Sequence, residues 1–145
     1  MFLEMIKRWR HPNGLIWAMS AGNYGHAGAW TESLGVIAPF QEMLLQSWDG
    51  ALRVFPCWPQ EIDARFDGLR AEGAFLVSAA WTKGNVEAFD ILSEKGATCR
   101  VHVPWPNGMI VRDASGAEAV VQQEQDGVVT FPTTPGARYS LQPRG

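Results

Sequence analysis

Residues 21–35 read Ala21-Gly22-Asn23-Tyr24-Gly25-His26-Ala27-Gly28-Ala29-Trp30-Thr31-Glu32-Ser33-Leu34-Gly35. Within fifteen residues this run gathers an amide, a phenol, an imidazole, an indole and a carboxylate among four glycines. Asn23, Tyr24 and His26 can donate and accept hydrogen bonds. Trp30 offers a broad apolar face, and Glu32 is the nearest carboxylate. Glycine at this density predicts a loop with unusual backbone angles or the close approach of another group. Loops of such make-up carry function when a rigid frame holds them. Each residue also has a plainer role. Glu32 suits a helix N-terminus, where the dipole favours its charge. Asn23 beside Tyr24 suits a turn of positive φ, and His26 a hydrogen-bonded loop.

Other chemistry is thin. His11, His26 and His102 show no metal-ligand spacing with each other or with either cysteine, so no metal and no cofactor is expected. Cys57 and Cys99 read as two buried thiols acting as small hydrophobes. A bridge across the 41 residues between them depends on geometry that sequence does not carry.

The elements that must position the loop differ along the chain. Phe2, Met5, Ile6 and Trp9 against Lys7, Arg8 and Arg10 predict a short amphipathic helix, stopped by His11-Pro12-Asn13-Gly14. A second helix places Phe40, Met43, Leu44 and Ser47 on one face, with Pro39 in its first turn and Asp49-Gly50 as its stop. From Leu52 onward the pattern turns to β. Strands are expected at Leu52–Phe55, Phe75–Trp81, Val86–Leu92, Thr98–Val103, Met109–Val111, Ala119–Val121, Val128–Phe131 and Ala137–Leu141. Turn residues separate most of them, Lys83-Gly84-Asn85 forming a hairpin. Glu61, Asp63, Arg65 and Asp67 read as a mixed-charge connector. The fold class is therefore mainly β, an antiparallel sandwich preceded by a short helical segment.

Composition narrows the function classes. The chain has 145 residues, 15 acidic against 12 basic, and a formal charge of −3. No basic stripe marks a nucleic-acid surface, and no apolar run reaches the roughly 20 residues of a membrane span. Charge interrupts the N-terminus too early for a signal peptide. Sixteen aromatic residues with little net charge exclude disorder. Seven residues are tryptophan, and five of these lie in the first 58. Trp9 and Trp81 are expected in cores, and Trp48 and Trp58 in packing where helix meets sandwich. The first 50 residues do not make an independent helical domain; they read as the last piece of a larger helical assembly.

Two runs carry a resemblance. Glu42-Met43-Leu44-Leu45-Gln46-Ser47-Trp48-Asp49-Gly50 leads into Leu52-Arg53-Val54-Phe55-Pro56-Cys57-Trp58-Pro59, and Gly68-Leu69-Arg70-Ala71-Glu72-Gly73-Ala74-Phe75 follows. Together they resemble the C-terminal portion of the α-L-fucosidase-like glycoside hydrolase family ninety-five, over about residues 33–103. The resemblance implies that residues 1–50 are terminal helices of an (α/α)6 catalytic barrel and residues 51–145 a C-terminal β-sandwich. It also implies an inverting hydrolase whose carbohydrate substrate is held through the barrel. Inversion requires an acid and a base roughly 6.5–9.5 Å apart, with room for water between them. The family's acid, a barrel glutamate, has no counterpart here, so the isolated chain is expected to be inactive. Its base assembly includes an Asp-Gly-Asn-Phe-Gly run. Gly22-Asn23-Tyr24-Gly25 fits the last four positions and puts Ala21 in place of the aspartate; counting back from Glu42 reaches Thr31. Either Glu32 takes over the role from another position, or the chain is a divergent branch with another substrate or no activity. Asn23, Tyr24, His26 and Trp30 are residue types that a sugar pocket uses. The alternative is a carbohydrate-binding or structural sandwich without catalysis. Localisation stays open, extracellular or periplasmic if the full-length protein carries a signal peptide.

Overall fold

The computed structural model describes Glu4, Lys7 and residues 30–145, without the side chains of residues 30–34 and 36. Two compact units divide between Gln41 and Glu42. In the first, Glu4 and Lys7 are helical and ion-paired at 3.2 Å. Helix α1 spans Trp30–Leu44 and carries Pro39 in its interior rather than its first turn. The end of the glycine-rich run is therefore helix, not loop.

The helix also stops earlier than Asp49-Gly50. Leu45–Gln46 (β1) pairs antiparallel with Arg53–Val54 (β2), and the Phe55 amide donates to the Leu44 carbonyl at 2.7 Å. A carbonyl committed to a strand partner cannot cap another helical turn. Ser47–Leu52 becomes the connection, turning on Gly50 at φ 76°.

A six-stranded antiparallel sheet follows: β3 (Ala64–Ala71), β4 (Phe75–Thr82), β5 (Asn85–Val86), β6 (Phe89–Ser93), β8 (Met109–Asp113) and β11 (Arg138–Pro143). Its order is β3-β4-β6-β11-β8, and β5 pairs with β4. A three-stranded sheet holds β7 (Cys99–His102), β9 (Gln122–Gln123) and β10 (Val128–Phe131), in the order β7-β10-β9. Strict alternation supplies the inward faces: Phe75, Val77 and Ala79 on β4, Phe89 and Ile91 on β6, Met109 and Val111 on β8, Tyr139 and Leu141 on β11. Opposite them stand Cys99 and Val101 of β7 with Val129 and Phe131 of β10, all in one buried cluster. Mainly β and antiparallel, this is the expected sandwich.

β3 corrects the connector reading. Arg65 and Asp67 lie on this strand's exposed side, ion-paired at 3.1 Å, and Phe66 points into the core. A bulge between Phe66 and Leu69, with Gly68 at φ 64°, breaks the alternation. The Gly68 amide donates to Ser78 Oγ on β4 at 3.0 Å, which fixes the bulge to its neighbour. The expected strand at Ala119–Val121 is absent; one bridge joins Arg112 to Glu118, and the strand that forms lies just beyond, at Gln122–Gln123. Lys83 and Gly84 both take positive φ, 50° and 80°, as a two-residue hairpin requires.

The tryptophans and thiols divide differently from expectation. Trp81 is half-buried beside Phe55, 5.7 Å between ring centroids, and Trp58 meets the same Phe55 edge-on at 6.3 Å. Trp48 is 70% exposed on the β1–β2 connection. Both cysteines are free, Cys99 buried and Cys57 exposed. Cys57 follows Pro56 in the turn after β2, outside the alternation that buries Cys99.

Candidate functional site

Asn23, Tyr24 and His26 lie outside the described residues. Trp30 and Glu32 stand in the first turn of α1, and their side chains also lie outside the described set. Glu32 thus occupies a helix N-terminus, where a carboxylate is favoured.

Within the sandwich, polar chemistry gathers where the β1–β2 connection meets β7. Asp49 accepts two hydrogen bonds from Arg53, Nη1 to Oδ1 at 2.7 Å and Nη2 to Oδ2 at 2.6 Å. The Ala51 amide adds a third contact at 3.2 Å. The Arg53 side-chain bonds hold the Asp49 carboxyl well below the usual carboxylate range. The exposed Trp48 ring lies 5.8 Å from the Arg53 guanidinium carbon, a cation–π distance.

Leu52 fastens this loop to β7, its amide donating to Arg100 O and its carbonyl accepting from His102 N. Arg100 consequently reaches Asp49 O at 3.4 Å and pairs with Glu124 Oε2 at 2.8 Å. The Arg100 hydrogen bond lowers the Glu124 carboxyl in turn. His102 shares the strand side of Arg100; burial first, then the positive charge of Arg53, lowers its imidazole below the ordinary value. The charged groups of this cluster are paired, Asp49 with Arg53 and Arg100 with Glu124. Among the described residues, no group of His, Cys, Asp and Glu is placed to hold a metal.

Beside Glu124 opens a groove of about 450 Å³, between the β7–β8 connection and the turn from β9 to β10. Trp105, Asn107, Gln123 and Glu124 line it. Its walls are tied by backbone bonds: Val103 N to Gly127 O at 3.0 Å, and Glu124 N to Val128 O at 2.8 Å. Sequence reasoning missed both features. Asp49, Arg100 and Glu124 are separated by 51 and 24 positions, so no local spacing announces them.

A family model described as glycoside hydrolase family 95, C-terminal domain, matches residues 46–141. The chain belongs to that family. The matched span begins inside β1 and ends inside β11, so it takes in both sheets and the Asp49–Arg53–Arg100–Glu124 cluster. No curated protein matches the chain. No helix among the described residues of this family 95 chain is long and apolar enough to cross a membrane.

Proposed function

We propose that the protein carrying this chain is an inverting, α-L-fucosidase-like glycoside hydrolase whose substrate is bound and cleaved in a helical barrel, and that the sandwich performs no chemistry of its own. The observation that carries this reading is the family 95 match over residues 46–141. In this reading residues 1–50 complete the barrel and residues 51–145 form the appended sandwich. Asn23, Tyr24, His26 and Trp30 contact sugar, and Glu32 assists the water that attacks the anomeric carbon.

The electrostatics of the sandwich support the division of labour. A general acid working near neutral pH needs a carboxyl whose pKa is raised, so that it still holds its proton. Asp49, Glu94 and Glu124 are all shifted the other way, each chiefly by a hydrogen bond from an arginine. Carboxylates so committed neither supply a proton to a leaving oxygen nor take one readily from water.

The anomeric configuration of the sugar first released by the intact protein tests the mechanism. Proton NMR during early turnover of an α-L-fucoside is expected to show the β-anomer before mutarotation; the α-anomer appearing first overturns inversion. Glu32→Gln in the intact protein is expected to lower turnover by about 10²–10⁴-fold, the usual range for general acid–base assistance. An unchanged rate returns Glu32 to a helix-terminus role.

A further inference from the structure

We infer that the groove between the β7–β8 connection and the β9–β10 turn is a second sugar site, taking one or two residues of a neutral oligosaccharide away from the barrel. The inference rests on the carbohydrate reading above and adds a binding function to the sandwich.

The first support is the state of Trp105. Its Nε1 donates to Val86 O at 2.9 Å, and its ring stacks on Phe89 with centroids 5.7 Å apart and planes at 27°. The indole is thereby held in one orientation with its N–H already used, so its contribution to the groove is apolar ring surface. Sugars present C–H faces that pack on such a ring, and a fixed ring loses little entropy on binding.

The second support is what surrounds the ring. Asn107 and Gln123 are exposed in the groove lining, and neither side-chain amide has a protein partner among the described residues. An amide carries both donors and acceptors, matching a hydroxyl, which also does both. The lining charge is compensated, since Glu124 is paired with Arg100 at 2.8 Å. A groove with no free cation is unsuited to phosphate or carboxylate ligands, and one with no free anion is unsuited to a cation. A neutral polyhydroxylated ligand fits both conditions. The volume, about 450 Å³, lies within the roughly 300–1,000 Å³ of small-molecule sites.

The walls, moreover, are already built. Gly108 N donates to Trp105 O at 3.2 Å, and Arg144 N to Gly108 O at 3.1 Å, so the segment bearing Trp105 and Asn107 is anchored to the end of β11. Binding would therefore require little ordering of the backbone, which lowers the entropic cost of filling the groove.

The test is an amide and indole NMR titration of the 145-residue chain with a fucosylated neutral oligosaccharide, and separately with an acidic uronate oligosaccharide. The neutral sugar is expected to shift the Trp105 indole N–H and the side-chain amides of Asn107 and Gln123, and the uronate to leave them unmoved. Asn107→Ala with Gln123→Ala is expected to weaken binding about tenfold or more at unchanged thermal stability. Trp105→Leu should abolish it. Because that variant loses packing on Phe89, the double variant at exposed positions carries the decision. Absent shifts, shifts confined to other surfaces, or affinity indifferent to the double variant overturn the inference. Hydrolysis by the intact protein, measured separately, keeps the two readings apart. A chain that binds no sugar beside an active intact protein removes the groove site alone.

Discussion

Arg53 and Asp49 face each other fork to fork, two nitrogens on two oxygens at 2.7 and 2.6 Å, across the tight connection between β1 and β2. The pair locks the entry to the sandwich, since the same loop is stitched to β7 through Leu52. Its geometry sets a pH dependence. Asp49, Glu94 and Glu124 all have folded-state values below those of the unfolded chain. Such groups contribute stability that is fully present above the unfolded value, about pH 4, and lost as pH falls through the folded one. Urea midpoints measured downward from about pH 5 should therefore drop more steeply below about pH 4. Asp49→Asn should flatten that drop while lowering the midpoint at neutral pH. An acid limb identical to wild type would contradict the role given to the pair.

His102 titrates in a different window. Its folded-state value is depressed, so the unfolded chain binds the proton more readily, and stability should fall as pH drops below about 6.5. Thermal scans between about pH 7.5 and pH 5 should show that decline, and His102→Gln should remove it. A decline that persists in the variant would assign it to other groups.

Ser93 is the one serine buried outright among the described core residues, and its hydroxyl is fully used. Thr133 Oγ1 donates to Ala97 O, so Ser93 donates to Thr133 at 2.7 Å and accepts from Gly96 N at 3.1 Å. Ser93→Ala removes the acceptor of the part-buried Gly96 amide and the donor to Thr133, and should cost about 1–3 kcal/mol in a denaturant titration. A loss below experimental error would mean that the Gly96 amide reaches another acceptor.

Gly96 itself leaves no room for a side chain. A Cβ there would sit 2.5 Å from Pro135 Cδ, at a φ of 74° that disfavours L residues. Gly96→Ala should destabilise by about 1–3 kcal/mol, adding steric to conformational strain. Gly116→Ala provides the comparison, because at φ 84° it meets nothing within 4 Å and pays for conformation alone. Equal losses at the two sites would contradict the clash.

The two thiols should separate cleanly in reactivity. Burial pushes the Cys99 thiol up to about 12, whereas Cys57 is exposed. Under native conditions iodoacetamide should label Cys57 and leave Cys99 until the chain is unfolded, as peptide mass spectrometry would show. Native labelling of Cys99 would mean that the β7–β10 pairing opens readily.

The sandwich was legible where alternation is unbroken. Phe75, Val77 and Ala79, or Tyr139 and Leu141, announce strands because every second residue must face the core. β3 escaped because its bulge at Asp67-Gly68 shifts Leu69 and Ala71 out of phase with Phe66, leaving charges as the visible signal. Helix α1 was misjudged at both ends for a related reason: strand pairing of Leu45–Gln46 overrides a continuing helical pattern, and Pro39 is tolerated inside it. The expectation for Cys57 failed because it lies in a Pro-flanked turn, where no periodicity governs burial. The site features that sequence missed depend on long-range contact. Arg100 meets Glu124 only because β7, β10 and β9 lie side by side, and Trp105 meets Val86 across another 19 positions.

The most direct measurement compares fucose release from an α-L-fucoside by the intact family 95 protein and by residues 1–145 alone. The account predicts release by the intact protein and none by the chain, where Asp49, Glu94 and Glu124 are each committed to an arginine. Turnover by the isolated chain, or an intact protein that leaves the fucoside uncut, would contradict it.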